Sequence, residues 1–197
     1  MSLGGWSTKC GFFAVCGPPH ARDAPGMGIV MKATLMAPDY VDANPLDLLE
    51  QVADLKDWAF DRSHEQELNV AVIGEWRDYQ ISLNWRDDFC GLHMASALDM
   101  RVPPEKRNDV RDLLGLINEQ LWSGHFDMWS DDGTVLFRDT LLLCGGAAAT
   151  PEQCEALLQL AVEACDRYYP ALNYVIWAGR TPQEAMAAAM FETHGNA

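Results

Sequence analysis

Over residues 67–100 apolar and polar side chains alternate with a period of two in three consecutive stretches. Leu68, Val70, Val72 and Trp76 form the first apolar set. Tyr79, Ile81, Leu83 and Trp85, spaced by Asp78, Gln80, Ser82, Asn84 and Arg86, form the second. Cys90, Leu92, Met94, Leu98 and Met100 form the third. This period predicts three antiparallel strands with one apolar and one wet face. Turns at Arg77-Asp78 and Asp87-Asp88 pair Val72 with Leu83, Val70 with Trp85, Leu83 with Leu92 and Ile81 with Met94, which puts every apolar partner on one side. A slip of one residue would destroy that agreement.

The period changes to that of a helix on either side. Asn44 is a capping residue, Pro45 suits the first helical position and Asp47 the positive end of the dipole. The buried stripe of this helix is read as Leu48, Val52 and Leu55, with Leu49 and Ala53 beside them. Residues 58–62 read as a short extended piece leading into the strands. A second helix opens near Pro103-Pro104, carries Val110, Leu113, Leu114, Ile117 and Leu121 on one face, and stops at Gly124. A hairpin follows around Asp132-Gly133, pairing Met128 with Phe137, Trp129 with Leu136 and Asp127 with Arg138.

Thr150-Pro151-Glu152-Gln153 has the form of a capping box, and its helix carries Cys154, Leu157, Leu158, Ala161, Ala164, Cys165 and Tyr168. Pro170 is expected to break or kink it, with a further segment through Leu172, Val175 and Ile176. Thr181-Pro182-Gln183-Glu184 repeats the signature for a short helix to about Phe191, and residues 194–197 read as a frayed tail. The order α-β-β-β-α-β-β-α plus a C-terminal helix is α+β: an antiparallel sheet of about five strands with helices on one face. Residues 1–43 hold Gly4-Gly5, Gly17-Pro18-Pro19 and Pro25-Gly26 without a sustained period and read as a loop-rich or disordered extension. Met27, Met31 and Met36 are each candidate starts. Residues 44–192 form the single domain.

Charge narrows the function. Twenty-nine acidic residues against 14 basic give a net charge of −15, which argues against nucleic acid and anionic membranes as partners and suits a basic or disordered polypeptide. Six cysteines without a C-x-x-C pair fit a reducing compartment, and no apolar run reaches membrane-spanning length, so a cytoplasmic location is expected.

Catalytic chemistry finds little support. Cys90 and His93 are three apart, which in a regular strand sends them to opposite faces. Asp127, Asp131 and Asp132-Gly133 lack the calcium-loop spacing, and Arg138 stands where a glutamate is required. Cys144-Gly145-Gly146 before a helix has no phosphate-loop pattern and reads as a flexible connection. The histidines at 20, 64, 93, 125 and 194 show no metal-ligand spacing. No catalytic residue, metal or cofactor is expected. Trp76 and Trp85 read as inward-facing core. The outward side of the last hairpin carries more apolar surface than a wet face needs, so Trp129, Leu136 and Leu142, with Arg138 and Asp127, are the candidate partner interface.

The run Asn44-Pro45-Leu46-Asp47-Leu48-Leu49, the strands ending at Leu98-Asp99-Met100, the Pro104-led helix, the Asp132-Gly133 hairpin and the closing Thr181 to Met190 segment resemble the YbjN-domain family. The resemblance covers residues 44–191. It implies a regulator of bacterial sensory transduction with a fold similar to type III secretion chaperones, which are small, acidic, dimeric proteins holding an extended client segment. It transfers no catalytic residue. The expected function is therefore a non-enzymatic, homodimeric protein-binding module, chaperone-like or regulatory. The alternative is a small-molecule binder or enzyme with a pocket between sheet and helices.

Overall fold

The computed structural model describes residues 44–192; the N-terminal extension expected over residues 1–43 and the tail 193–197 lie outside the described residues. The order is α1 (Pro45–Leu55), β1 (Ala59–His64), β2 (Glu67–Ile73), β3 (Asp78–Arg86), β4 (Gly91–Arg101), α2 (Arg107–Asn118), β5 (His125–Met128), β6 (Thr134–Leu142), α3 (Pro151–Ile176) and α4 (Pro182–Glu192). The strands form one sheet in the order β1-β2-β3-β4-β6-β5, and each neighbouring pair is antiparallel. The fold is α+β, as the element pattern implied. The sheet has six strands among the described residues, not five. The extended piece after α1 is β1, an edge strand bulged between Asp61 and His64.

The helices cover one face. Leu68, Val70, Val72, Tyr79, Ile81, Leu83, Leu92, Met94, Leu98 and Phe137 point into it and are buried, meeting Val110, Leu113 and Ile117 of α2 and Leu158, Cys165 and Leu172 of α3. On α1 the buried side is Leu46, Leu49, Val52 and Ala53; Leu55, expected inside, is exposed. It occupies the last position of the helix, past the turn that meets the sheet.

The strand registers differ from expectation by even numbers of residues. Val70 pairs with Ile81 and Val72 with Tyr79; Leu83 pairs with Met94 and Trp85 with Leu92; Phe126 pairs with Phe137 and Met128 with Val135. An even shift keeps every side chain on its side, so the buried face survives. The cause is turn length. The β2–β3 turn takes residues 74–77, closed by the Gly74 N–H donating to the Arg77 carbonyl at 3.0 Å. The β3–β4 turn is a single 3₁₀ turn, Asp87–Phe89, ended by Cys90 in the left-handed conformation with φ 52°. Two expectations fall with these turns. Trp76 lies in a turn, exposed, instead of on the inner face, and Cys90 precedes β4 instead of belonging to its apolar row. Trp85 is half-buried and packs against the core.

Helix α2 ends at Asn118, well before Gly124. The Asn118 side chain donates to the Phe126 carbonyl and accepts from the Phe126 N–H, at 3.1 and 2.8 Å, which staples the helix end to β5. Gly124 has φ 67° and meets the Phe137 ring at a place where a Cβ would lie 2.3 Å from it, so this position excludes a side chain on both counts.

Helix α3 runs unbroken through Pro170 for 26 residues. A proline removes the N–H that would bond the carbonyl four residues earlier, here that of Asp166. The indole Nε1–H of Trp76 donates to that carbonyl at 3.0 Å. The Asp166 carboxylate accepts from the Glu75 N–H at 2.9 Å and from the Tyr79 hydroxyl at 2.7 Å. One residue of α3 thus fixes the whole β2–β3 turn, and burial with this bond pushes the Tyr79 hydroxyl well above its ordinary pKa.

Candidate functional site

Two surfaces carry side chains that the core does not use. The first is the outer face of the sheet, where the sequence pointed. Arg138 on β6 lies opposite His125 of β5 and Ala95 of β4. Its guanidinium donates through Nε to Nε2 of His93 at 3.3 Å and forms an ion pair with Asp127 at 3.3 Å. Asp127 itself pairs with Leu136, so the expected Asp127–Arg138 contact exists as a diagonal, not a direct, neighbour. Because Arg138 donates to Nε2, neutral His93 carries its proton on Nδ1. Burial, then the positive charge of Arg138 and the neighbouring His125, hold His93 below its usual pKa, with Asp139 opposing.

The apolar members of this set are spread out. Leu136 is only 3% exposed, set between Ala97 and Asp127 in register. Trp129 follows β5 on the same side and is 39% exposed, and Leu142 is 63% exposed. Leu142 stands six residues along β6 from Leu136, about 20 Å away. The five candidates therefore make one ion pair with a buried leucine and two separate apolar tips, not a single pocket.

The candidate chemistry excluded from sequence stays apart. The Cys90 thiol donates to the Asp87 carbonyl at 3.8 Å while His93 bonds Arg138, so the two form no dyad. Asp132 receives the Thr134 N–H and hydroxyl at 3.0 and 2.8 Å as a turn residue does, and these bonds hold its carboxyl below the usual range. Cys154 and Cys165 are buried; desolvation pushes their thiols up to about 11 and about 12. Among the described residues no three His, Cys, Asp or Glu side chains are grouped to hold a metal ion. No helix among them is long and apolar enough to cross a membrane.

The second surface was not foreseen. It is a groove of about 560 Å³ on the helical side. It is lined by Glu75 and Trp76 of the β2–β3 turn, Leu160, Glu163 and Arg167 of α3, Trp122 of the α2–β5 connection and Ala189 of α4. Trp122 is fully exposed, and Trp76 and Leu160 are about half exposed. Trp76 is nevertheless held in place: its indole N–H is committed to Asp166, and Asp166 fixes the turn beneath it. The hint in the sequence was a tryptophan inside a turn-like run, Gly74-Glu75-Trp76-Arg77-Asp78. Strand periodicity absorbed it into the core.

A solved structure described as "YbjN, a putative transcription regulator from E. coli" is similar to this chain at 18% identity, covering 64% of this chain and 89% of that one, with a TM-score of 0.47. None of the curated proteins matches. The model of the YbjN family, described as "Putative bacterial sensory transduction regulator", matches residues 45–173, and the chain belongs to that family.

Proposed function

We propose that this chain is a non-enzymatic, cytoplasmic regulator that works by binding another polypeptide, and that the groove over α3 is its contact. The observation that carries this is the meeting of Trp76, Trp122 and Leu160, three exposed apolar side chains from three separate parts of the chain, on one groove. Apolar residues scattered singly over a surface need no explanation, but a gathered set does. Tryptophans dominate binding energy where they become desolvated. The Trp76 indole is already hydrogen-bonded to the Asp166 carbonyl, so a partner loses less entropy in ordering it. The family's description as a sensory transduction regulator supports the regulatory half of the reading.

The alternative, an enzyme or small-molecule binder with a pocket between sheet and helices, has less support. That space is filled by Tyr79, Ile81, Met94, Phe137 and Leu172, all buried. A photo-crosslinking amino acid placed at Trp122 in living cells tests the proposal against the same probe at Ser82 on the outer face. A discrete protein adduct at 122, lost when Trp76→Ala is added, is expected. Adducts at 82 alone would overturn the assignment of the groove.

A homodimer is a second part of the reading, and charge favours the outer sheet face for it. That face carries Arg86, Arg101 and Arg138 against Asp61, Glu67, Asp78 and Asp127, with Asp99 paired to Arg77 at 3.0 Å and Arg86 itself paired to Asp88 at 2.7 Å. Its arginines offset most of its carboxylates in a chain of net charge −15, so two copies meeting there face less repulsion than an unbalanced acidic surface would impose.

A further inference from the structure

The electrostatics of the groove select the kind of polypeptide it accepts. Building on the reading of the groove as a polypeptide contact, we propose that its partner is a cationic amphipathic segment, one that sets Lys or Arg beside its apolar anchors. Glu75 and Glu163 both line the groove and are exposed, Glu75 next to Trp76 in the turn and Glu163 one helical turn after Leu160. The Asp166 carboxylate also borders the groove and accepts from the Glu75 N–H and the Tyr79 hydroxyl. Arg167 is the single cation among the described lining residues, so carboxylates outnumber it three to one.

The backbone adds to this field. Helix α2 ends at Asn118, and Gln120 and Leu121, just after it, line the groove. The C-terminal end of α2, the negative end of its dipole, thus lies beside the groove where a positive side chain would sit. The chain as a whole reinforces the same sign, with 29 acidic residues against 14 basic. A second copy of this chain brings the same excess of negative charge and is disfavoured as the occupant.

The test uses the full chain and two fluorescently labelled probes, an amphipathic Leu/Lys peptide and its Leu/Glu counterpart, read by anisotropy. The Leu/Lys peptide is expected to bind, about 30-fold more weakly to Trp122→Ala and about tenfold more weakly to Glu163→Lys. Glu105→Lys, the same charge change beyond the opposite end of α2, is expected to leave binding within about twofold. Equal losses from Glu105→Lys and Glu163→Lys would overturn the proposal, since attraction would then belong to the whole acidic surface. Equal binding of both peptides, lost in Trp122→Ala, would remove the cationic preference and leave the polypeptide-binding reading standing. Binding of neither peptide would overturn both. Trp122 and Glu163 are exposed, so each variant is expected to fold; a self-association abolished by Trp122→Ala in light scattering would assign the groove to a second copy instead.

Discussion

Trp76 repairs a bond that Pro170 removes from α3, and the two residues should therefore be energetically coupled. With Pro170 present, Trp76→Phe leaves the Asp166 carbonyl without its 3.0 Å donor and should cost about 1 kcal/mol in urea unfolding. Pro170→Ala restores an N–H four residues after Asp166, so in that background the same change should cost about half as much. Additivity to within about 0.3 kcal/mol in the double-mutant cycle would sink this coupling. His93 gives a second test. Its folded pKa lies below the ordinary value because of burial and then the charges of Arg138 and His125, so between the two values the unfolded chain binds more protons. Stability is therefore complete above the unfolded pKa of about 6.5 and falls as the pH drops through the window beneath it. NMR titration should find His93 below that reference, and Arg138→Gln should move it upward. A titration at or above the reference in the wild type would refute the geometry of the Arg138 contact.

Elements were readable from sequence where their signals are local. Asn44 caps α1 through its side chain. Thr150 and Gln153 satisfy each other's N–H groups at 3.0 and 3.2 Å, and Thr181 does the same with Glu184 at 3.0 and 3.3 Å. Thr150→Ala should lower stability by about 1 kcal/mol, measured by denaturant unfolding. Strand faces were also legible, because period two fixes which side chains lie together whatever the register. Register itself was not, because turn length depends on contacts far away in the chain. Gly74 shows why: a Cβ there would stand 2.2 Å from the Tyr79 ring and 2.8 Å from the Asp166 carboxylate, which comes from α3. Gly74→Ala should accordingly destabilise by about 2 kcal/mol, since ring or carboxylate must shift. The continuity of α3 through Pro170 was hidden for the same reason, its missing donor being supplied from a turn 90 residues before Asp166. The Asp127–Arg138 pair was found because its partners are cross-strand neighbours. The groove was invisible because residues 76, 122 and 160 meet only in the folded chain.

At the scale of the whole molecule, the outer sheet face and the groove are proposed to take different partners. The outer sheet face sets arginines among its carboxylates and ends in exposed Trp129 and Leu142, whereas the groove holds Glu75, Glu163 and the end of α2 beside exposed Trp76 and Trp122. A symmetric dimer through the sheet would leave both grooves free, so self-association and capture of a cationic segment should be separable by mutation. Light scattering at micromolar concentration should give twice the chain mass for the wild type and for Trp122→Ala. Trp129→Asp with Leu142→Asp should give the monomer, since each buries a carboxylate in the contact. Peptide binding should behave in the opposite way, surviving Trp129→Asp and failing in Trp122→Ala. A wild type that stays monomeric would remove the dimer and leave the groove untouched. Dimers lost in Trp122→Ala but retained with both outer-face aspartates would instead reverse the assignment of the two surfaces.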